Sequence, residues 1–289
     1  MNLQSYLNSS LFLQNWQLLL FTFLVIFIIS FLIHKKHNNT RTTKLDGQEY
    51  IGVNFTKNNS DTEYSEYVPA LEEKEHVPYN GAVITLPGKA EQFYKMMNNR
   101  RSVRIFSQTK VPIEVIEDCI RAAGTSPSGA HTEPWTFCVV GCAKLKQSIR
   151  EIIEKEEELN YEQRMHRQWI TDLKPLRTNH IKKYLTDAPY LILVFKQMYS
   201  FLPDGRKKQH YYNEISVSIA TGILLSALQA AGLNSLVTTP LNCGPALRNL
   251  LKRPSYEKLL VLLPVGYAAK ECVVPDLKRK PLNKIMVTY

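Results

Sequence analysis

Tyr211 to Ala231 reads YYNEISVSIATGILLSALQAA. Its apolar residues fall on nearly every side of a helix, and Ser216, Ser218, Ala220, Gly222, Ala227 and Ala230 keep the surface small. A helix apolar all round is a buried helix. Small residues let a second helix approach closely, which suits the core of a dimer. The stretch therefore predicts a long buried helix.

The surrounding elements follow from their own patterns. Ala90–Asn99, Pro112–Ala123 and the charged run Ala143–Asn160 carry helical spacing, with Pro112 suited to a first turn and Gly124 to a stop. WTFCVV (Trp135–Val140) and the continuous apolar run YLILVF (Tyr190–Phe195) read as strands, the second buried on both faces. Leu236–Thr238 and Leu259–Val265 supply further strands, and Gly266-Tyr267 ends the last. Helices and strands alternate irregularly, so the fold class is α+β: helices packed around a mixed sheet.

Trp16 to Ile33 (WQLLLFTFLVIFIISFLI) is of a different kind, with Gln17 as its only strongly polar residue. It is near the lower limit for a membrane-spanning helix. A cleaved signal peptide competes, but no Lys or Arg precedes the run and no small-x-small site follows it. A retained anchor is expected after an N-terminal segment, 1–15. Lys35, Lys36, Arg41 and Lys44 follow the run, so the positive-inside rule places the C-terminal bulk in the cytoplasm. The sequons at Asn38, Asn54 and Asn58 then stay unglycosylated. Residues 34–80 are polar with little periodicity and read as a tether. Residues 81–289 make one domain with a sizeable core.

Several chemistries drop out. The net charge of +10 is spread along the chain without a nucleic-acid-binding signature. The five cysteines are irregularly spaced and suit reduced thiols. His131-Thr132-Glu133 imitates H-x-E of zinc deaminases but lacks P-C-x-x-C, so no metal is expected. Neither a P-loop nor a Rossmann glycine fingerprint occurs.

Three stretches remain. NNRRSVRIFS (Asn98–Ser107) packs three arginines and a serine into five positions; guanidinium forks match phosphate, though alone the stretch also permits a nucleic-acid patch or a solvated turn. SPSGAHTEPW (Ser126–Trp135) is an unusual loop or a tight connector. VTTPLNCGP (Val237–Pro245) is a strand running out into hydroxyl residues and a Pro-rich turn, where ligand contacts or turn chemistry both belong.

Together with the 210–225 helix, LLPVGY (Leu262–Tyr267) and the tail PDLKRKPLNKIMVTY (Pro275–Tyr289), these stretches resemble the nitroreductase-like flavoprotein superfamily and, within it, the iodotyrosine deiodinase family. The resemblance spans about 80 to 289 and implies an intertwined homodimer with FMN at the interface. It implies that Arg100, Arg101, Ser102, Val103, Arg104 and Arg279 hold FMN, with Pro127, Ser128 and Gly129 reaching it from the other subunit. It implies that Val237 and Thr238 approach the flavin ring and that Thr239, the catalytic residue, donates to flavin N5. Glu157 and Tyr161 share a helix face if the helix continues, and by resemblance they and Lys182 clamp an amino-acid zwitterion; Ala130 offers its N–H to the substrate phenolate. Glu154, Glu156 and Glu158 are read as a solvated face. The segment from 157 to 182 is expected to be mobile without substrate.

The activity so implied is FMN-dependent reductive dehalogenation of halotyrosines, 3-iodotyrosine and 3,5-diiodotyrosine going to tyrosine plus iodide. Electrons come from NADPH, directly or through a reductase. A generic nitro- or quinone reductase, which needs no clamp, is the alternative enzyme; a tethered FMN or lipid binder is the non-enzymatic one.

Overall fold

The structure is a computed structural model and describes residues 71–79, 81 and 86–289. The expected anchor, 16–33, and most of the tether lie outside the described residues. Residues 71–79 are exposed and form no helix or strand. Among the described residues, no helix is long and apolar enough to cross a membrane.

The helices that matter below are α1 (Lys89–Asn98), α2 (Ile113–Gly124), α3 (Ala143–Leu159), α4 (Arg167–Leu173), α5 (Tyr184–Asp187), α6 (Asn213–Ala230) and α7 (Gly244–Leu250). The strands are β1 (Trp135–Val140), β2 (Tyr190–Gln197), β3 (Tyr199–Phe201), β4 (Lys207–Gln209), β5 (Asn234–Ser235) and β6 (Glu257–Gly266). The main sheet has the order β1-β2-β6-β5, all pairs antiparallel, and β3-β4 form a separate hairpin. A parallel bridge, Ser102 to Ser235, makes the sheet mixed.

The apolar run of β2 is explained by what lies on its two faces. Alternate strand residues point to opposite sides. Leu191, Leu193 and Phe195 pack with Ile149, Ile153, Leu185 and Leu247 of α3, α5 and α7. Ile192 and Val194 pack with Ile116, Val217, Leu224 and Leu228 of α2 and α6. Each buried Leu, Ile or Phe contributes roughly 1.5–3 kcal/mol, so this one strand anchors both layers.

Two expectations need correction. α6 is buried on one face only: Val217, Ala220, Leu224 and Leu228 point inward, while Ile215 and Ile219 are 60% and 43% exposed. Among the described residues, no element covers that second stripe. The strand expected over Leu236–Thr238 pairs instead at Asn234–Ser235, and Thr238 rejoins β6 only as a bridge to Leu262. The cause is Pro264 of β6, which accepts from Leu236 N–H but has no N–H of its own to return.

That interrupted edge positions the site. Val103 N–H donates to Ser235 O, and Phe106 bridges Ala268. The arginine-rich segment is thereby pinned beside β5 and the loop that follows it.

Candidate active site

Two neighbouring cavities share Arg104 as a wall. The first, of about 190 Å³, is lined by Arg100, Arg101, Ser102, Arg104, Arg279 and the apolar side chains of the 274–277 tail. No acidic residue lines it, and among the described residues none of these four arginines is in a salt bridge. Arg101 donates to Pro275 O and Arg279 Nη2 donates to Arg100 O at 3.0 Å, so the tail is strapped across the segment. Burial, reinforced by the Arg279 charge, lowers the pKa of Arg100. Like charges gathered in one partly buried cleft are stabilised by an anion with several acceptor oxygens, and a phosphate monoester is such a group.

The second cavity, of about 140 Å³, holds Glu157, Tyr161 and Lys182 against Thr238, Thr239 and Tyr184. Met165, Trp169, Leu173, Leu236 and Leu241 supply an apolar wall. α3 ends at Leu159, and a π-turn over Asn160–Arg164 follows, with Met165 N–H donating to Asn160 O at 2.8 Å. The wider turn still leaves Tyr161 beside Glu157. Such turns inside helices are frequent at functional sites.

The three clamp residues lie together in the structure. Lys182 Nζ lies 3.2 Å from Glu157 Oε2, with side chains 7% and 13% exposed. It also donates to Asn179 O at 2.5 Å and lies 5.5 Å from the Tyr161 ring centroid. The reason is the low dielectric: each buried charge would be costly alone, so the two neutralise each other. Burial, with the Glu157 charge second, raises the pKa of Tyr161, so its hydroxyl remains a donor at neutral pH. Burial likewise raises that of Tyr184, whose hydroxyl hydrogen-bonds Thr238.

Not every anticipated residue joins these cavities. Val103 is a core side chain. Pro127, Ser128, Gly129 and Ala130 line neither cavity. They form a constrained loop in which Ala130, His131 and Glu133 have φ of 49°, 50° and 47°. Left-handed backbone at non-glycine residues clusters at functional sites. Gly129 is required there, since a Cβ would lie 2.8 Å from Tyr211 O. This loop faces the start of α6, whose outer stripe is exposed.

Two functional candidates escaped the sequence reading. Glu154, taken there as solvated, accepts from Lys182 N–H at 2.6 Å. Asn160 is buried between Glu157 and the Leu241 carbonyl, each 3.5 Å from its Nδ2, and accepts from Asn242 at 3.3 Å. Sequence marks neither, because Lys182, Leu241 and Asn242, the partners that place them in the site, lie 28 to 82 positions away.

The Nitroreductase family profile matches residues 97–267. Iodotyrosine deiodinase of Drosophila melanogaster is 56% identical over 291 residues, covering 100% of both chains. Iodotyrosine deiodinase 1 of Homo sapiens is 60% identical over 226 residues, covering 77% of this chain and 78% of the human one. Among solved structures, oxidized iodotyrosine deiodinase bound to FMN and 3-iodo-L-tyrosine is similar at a TM-score of 0.57 and 34% identity, covering 68% of this chain and 98% of that one.

Proposed function

As the chain belongs to the nitroreductase family and, within it, to the iodotyrosine deiodinases, we propose that it is an FMN-dependent flavin oxidoreductase that reductively deiodinates halotyrosines. The observation that carries this reading beyond a general flavin reductase is the Glu157–Tyr161–Lys182 cluster beside Thr239.

The residues present fit FMN. The arginine cavity would take the phosphate through Arg100, Arg101, Arg104, Arg279 and Ser102, and the lack of a dinucleotide fingerprint favours the mononucleotide. Val237, Thr238 and Thr239 would approach the flavin from the second cavity, with Thr239 directed at N5. FMN, when bound, supplies the two electrons of the reaction.

The chain's own residues bind and orient the substrate. Glu157 and Lys182 form a buried pair of zero net charge, and a zwitterion laid against it with reversed polarity leaves every charge partnered. The ammonium goes to Glu157, the carboxylate to Lys182 and the Tyr161 hydroxyl. The apolar wall of Met165, Trp169 and Leu173 excludes water from the aromatic ring. Ala130 N–H would take the phenolate. Net, the aryl C–I bond gives way to C–H, and iodide leaves after two electrons and one proton are taken up.

Homodimerisation accompanies this reading. The exposed Ile215–Ile219 stripe, the small residues beside it and the absence of the 127–130 loop from both cavities support a second copy that completes each site. NADPH, directly or through a reductase, is the proposed electron source. An anchor at 16–33 with the catalytic domain in the cytoplasm is supported by the basic residues after Ile33.

The test is iodide release from 3-iodotyrosine by the full-length holoenzyme with dithionite, set against 2-iodophenol. Preferred turnover of the amino acid is expected. A flavoprotein that reduces quinones but releases no iodide would refute the assignment.

A further inference from the structure

α3 presents a second carboxylate to the clamp lysine, one turn before Glu157. Glu154 Oε1 accepts from the backbone N–H of Lys182 at 2.6 Å and from Arg150 Nε at 2.7 Å. Arg150 in turn donates to Thr186 Oγ1 at 3.0 Å, so helix α3 is tied to both ends of the Lys182–Thr186 segment. Glu154 is only 21% exposed, unlike its neighbour Glu158. Positions 154 and 157 are three apart and lie on one face of the helix. One carboxylate holds the ammonium of Lys182 and the other holds its main chain.

We propose that Glu154 is a positioning residue for zwitterion recognition: by fixing the Lys182 backbone on α3 it sets where the Lys182 ammonium stands, and so determines the preference for amino-acid over simple halophenol substrates. The inference rests on the deiodinase reading above. Lys182 follows a segment, 174–181, that contains a 3₁₀ turn, a left-handed Arg177 and no long helix or strand to locate it. A lysine side chain has several rotatable bonds, and ordering it has an entropic cost that rises if its backbone is also free. A charge-assisted hydrogen bond at its own amide removes much of that freedom. Lys182 N–H would otherwise be a donor in a largely buried place, where lack of a partner is costly.

Reach and charge can be separated. Glu154→Asp keeps the charge for Arg150 but shortens the side chain by one carbon–carbon bond, about 1.5 Å, which breaks the contact to Lys182 N–H. Glu154→Gln keeps an acceptor in the same place and loses the charge. With full-length holoenzyme, 3-iodotyrosine affinity is read from flavin fluorescence and FMN content from absorbance, and iodide release from 3-iodotyrosine and 2-iodophenol is measured with dithionite. Glu154→Asp and Glu154→Ala should each weaken 3-iodotyrosine binding by about 10-fold or more, with 2-iodophenol turnover and FMN content within about twofold of wild type. Glu154→Gln should keep most of the preference. The proposal is overturned if Asp behaves as wild type, if Gln falls as far as Ala, or if every variant loses both substrates and FMN together. Wild-type enzyme that shows no preference for the amino acid would instead refute the deiodinase reading itself, and the two failures are thus distinguishable.

Discussion

Lys182→Gln and Glu157→Gln should each abolish selective binding of iodotyrosine while leaving iodophenol almost untouched. The pair lies at 3.2 Å with both side chains largely buried. At that separation an effective dielectric near 20 gives a gross attraction of about 5 kcal/mol. Much of it is offset by desolvation, so truncating one partner of such a pair costs roughly 2–5 kcal/mol, or about 30- to several-thousand-fold in affinity. Iodophenol carries neither charge of the amino acid and loses nothing by the change. Stability should report the same pairing. Each single variant leaves one charge buried without its partner, whereas Glu157→Gln with Lys182→Met leaves none, so the double variant should melt above at least one of the singles. Isothermal titration with 3-iodotyrosine, iodide release from 2-iodophenol, and thermal melts of all four proteins are sufficient. Equal losses on both substrates, or melting decrements that simply add, would refute the reasoning.

Arg100→Ala with Arg104→Ala should strip FMN from the purified protein, read as the ratio of visible to ultraviolet absorbance; full flavin occupancy would remove the phosphate assignment. Cys142 precedes α3, and the backbone N–H groups of Leu145 and Lys144 lower its thiol pKa, whereas burial pushes Cys243 up to about 12. Iodoacetamide at pH 7.5 should therefore modify Cys142 first and Cys243 only on unfolding, as peptide mass spectrometry will show. His210 is buried, both its ring nitrogens lack a partner among the described residues, and burial together with the Lys208 charge lowers its pKa. The folded state then holds it neutral while the unfolded chain takes up a proton below about pH 6.5. Stability from this source is full above that pH and falls as the pH drops towards the lower folded value. His210→Leu should narrow the difference in melting temperature between pH 7.5 and 5.5; an unchanged difference would contradict the sign.

Much of the fold was legible because its signals are local. The runs at Trp135–Val140 and Tyr190–Phe195 have no charge to place in water, and both are strands from the residue expected. The helices at 89–98, 113–124, 143–159 and 213–230 begin and end within about two residues of their sequence limits, as boundary signals allow. The arginines of 100–104 stand out locally as three guanidinium groups in five positions, though the spacing by itself leaves a solvated turn open and the family resemblance is what points to a phosphate. What the tertiary structure alone decided is non-local. The resemblance grouped Arg279 with Arg100, but their direct contact, Arg279 Nη2 to Arg100 O across 179 positions, is one that no spacing rule encodes. Pro264 displaced the edge strand to Asn234–Ser235 through its missing N–H, a fact about the neighbour rather than the strand. Lys182 and Glu157 closed on each other because burial makes an unpaired charge costly, and burial is a property of the folded chain. Glu154 and Glu158 are the same residue type on one helix, and only the placement of Lys182 against α3 makes the first a hydrogen-bonding partner and leaves the second to solvent.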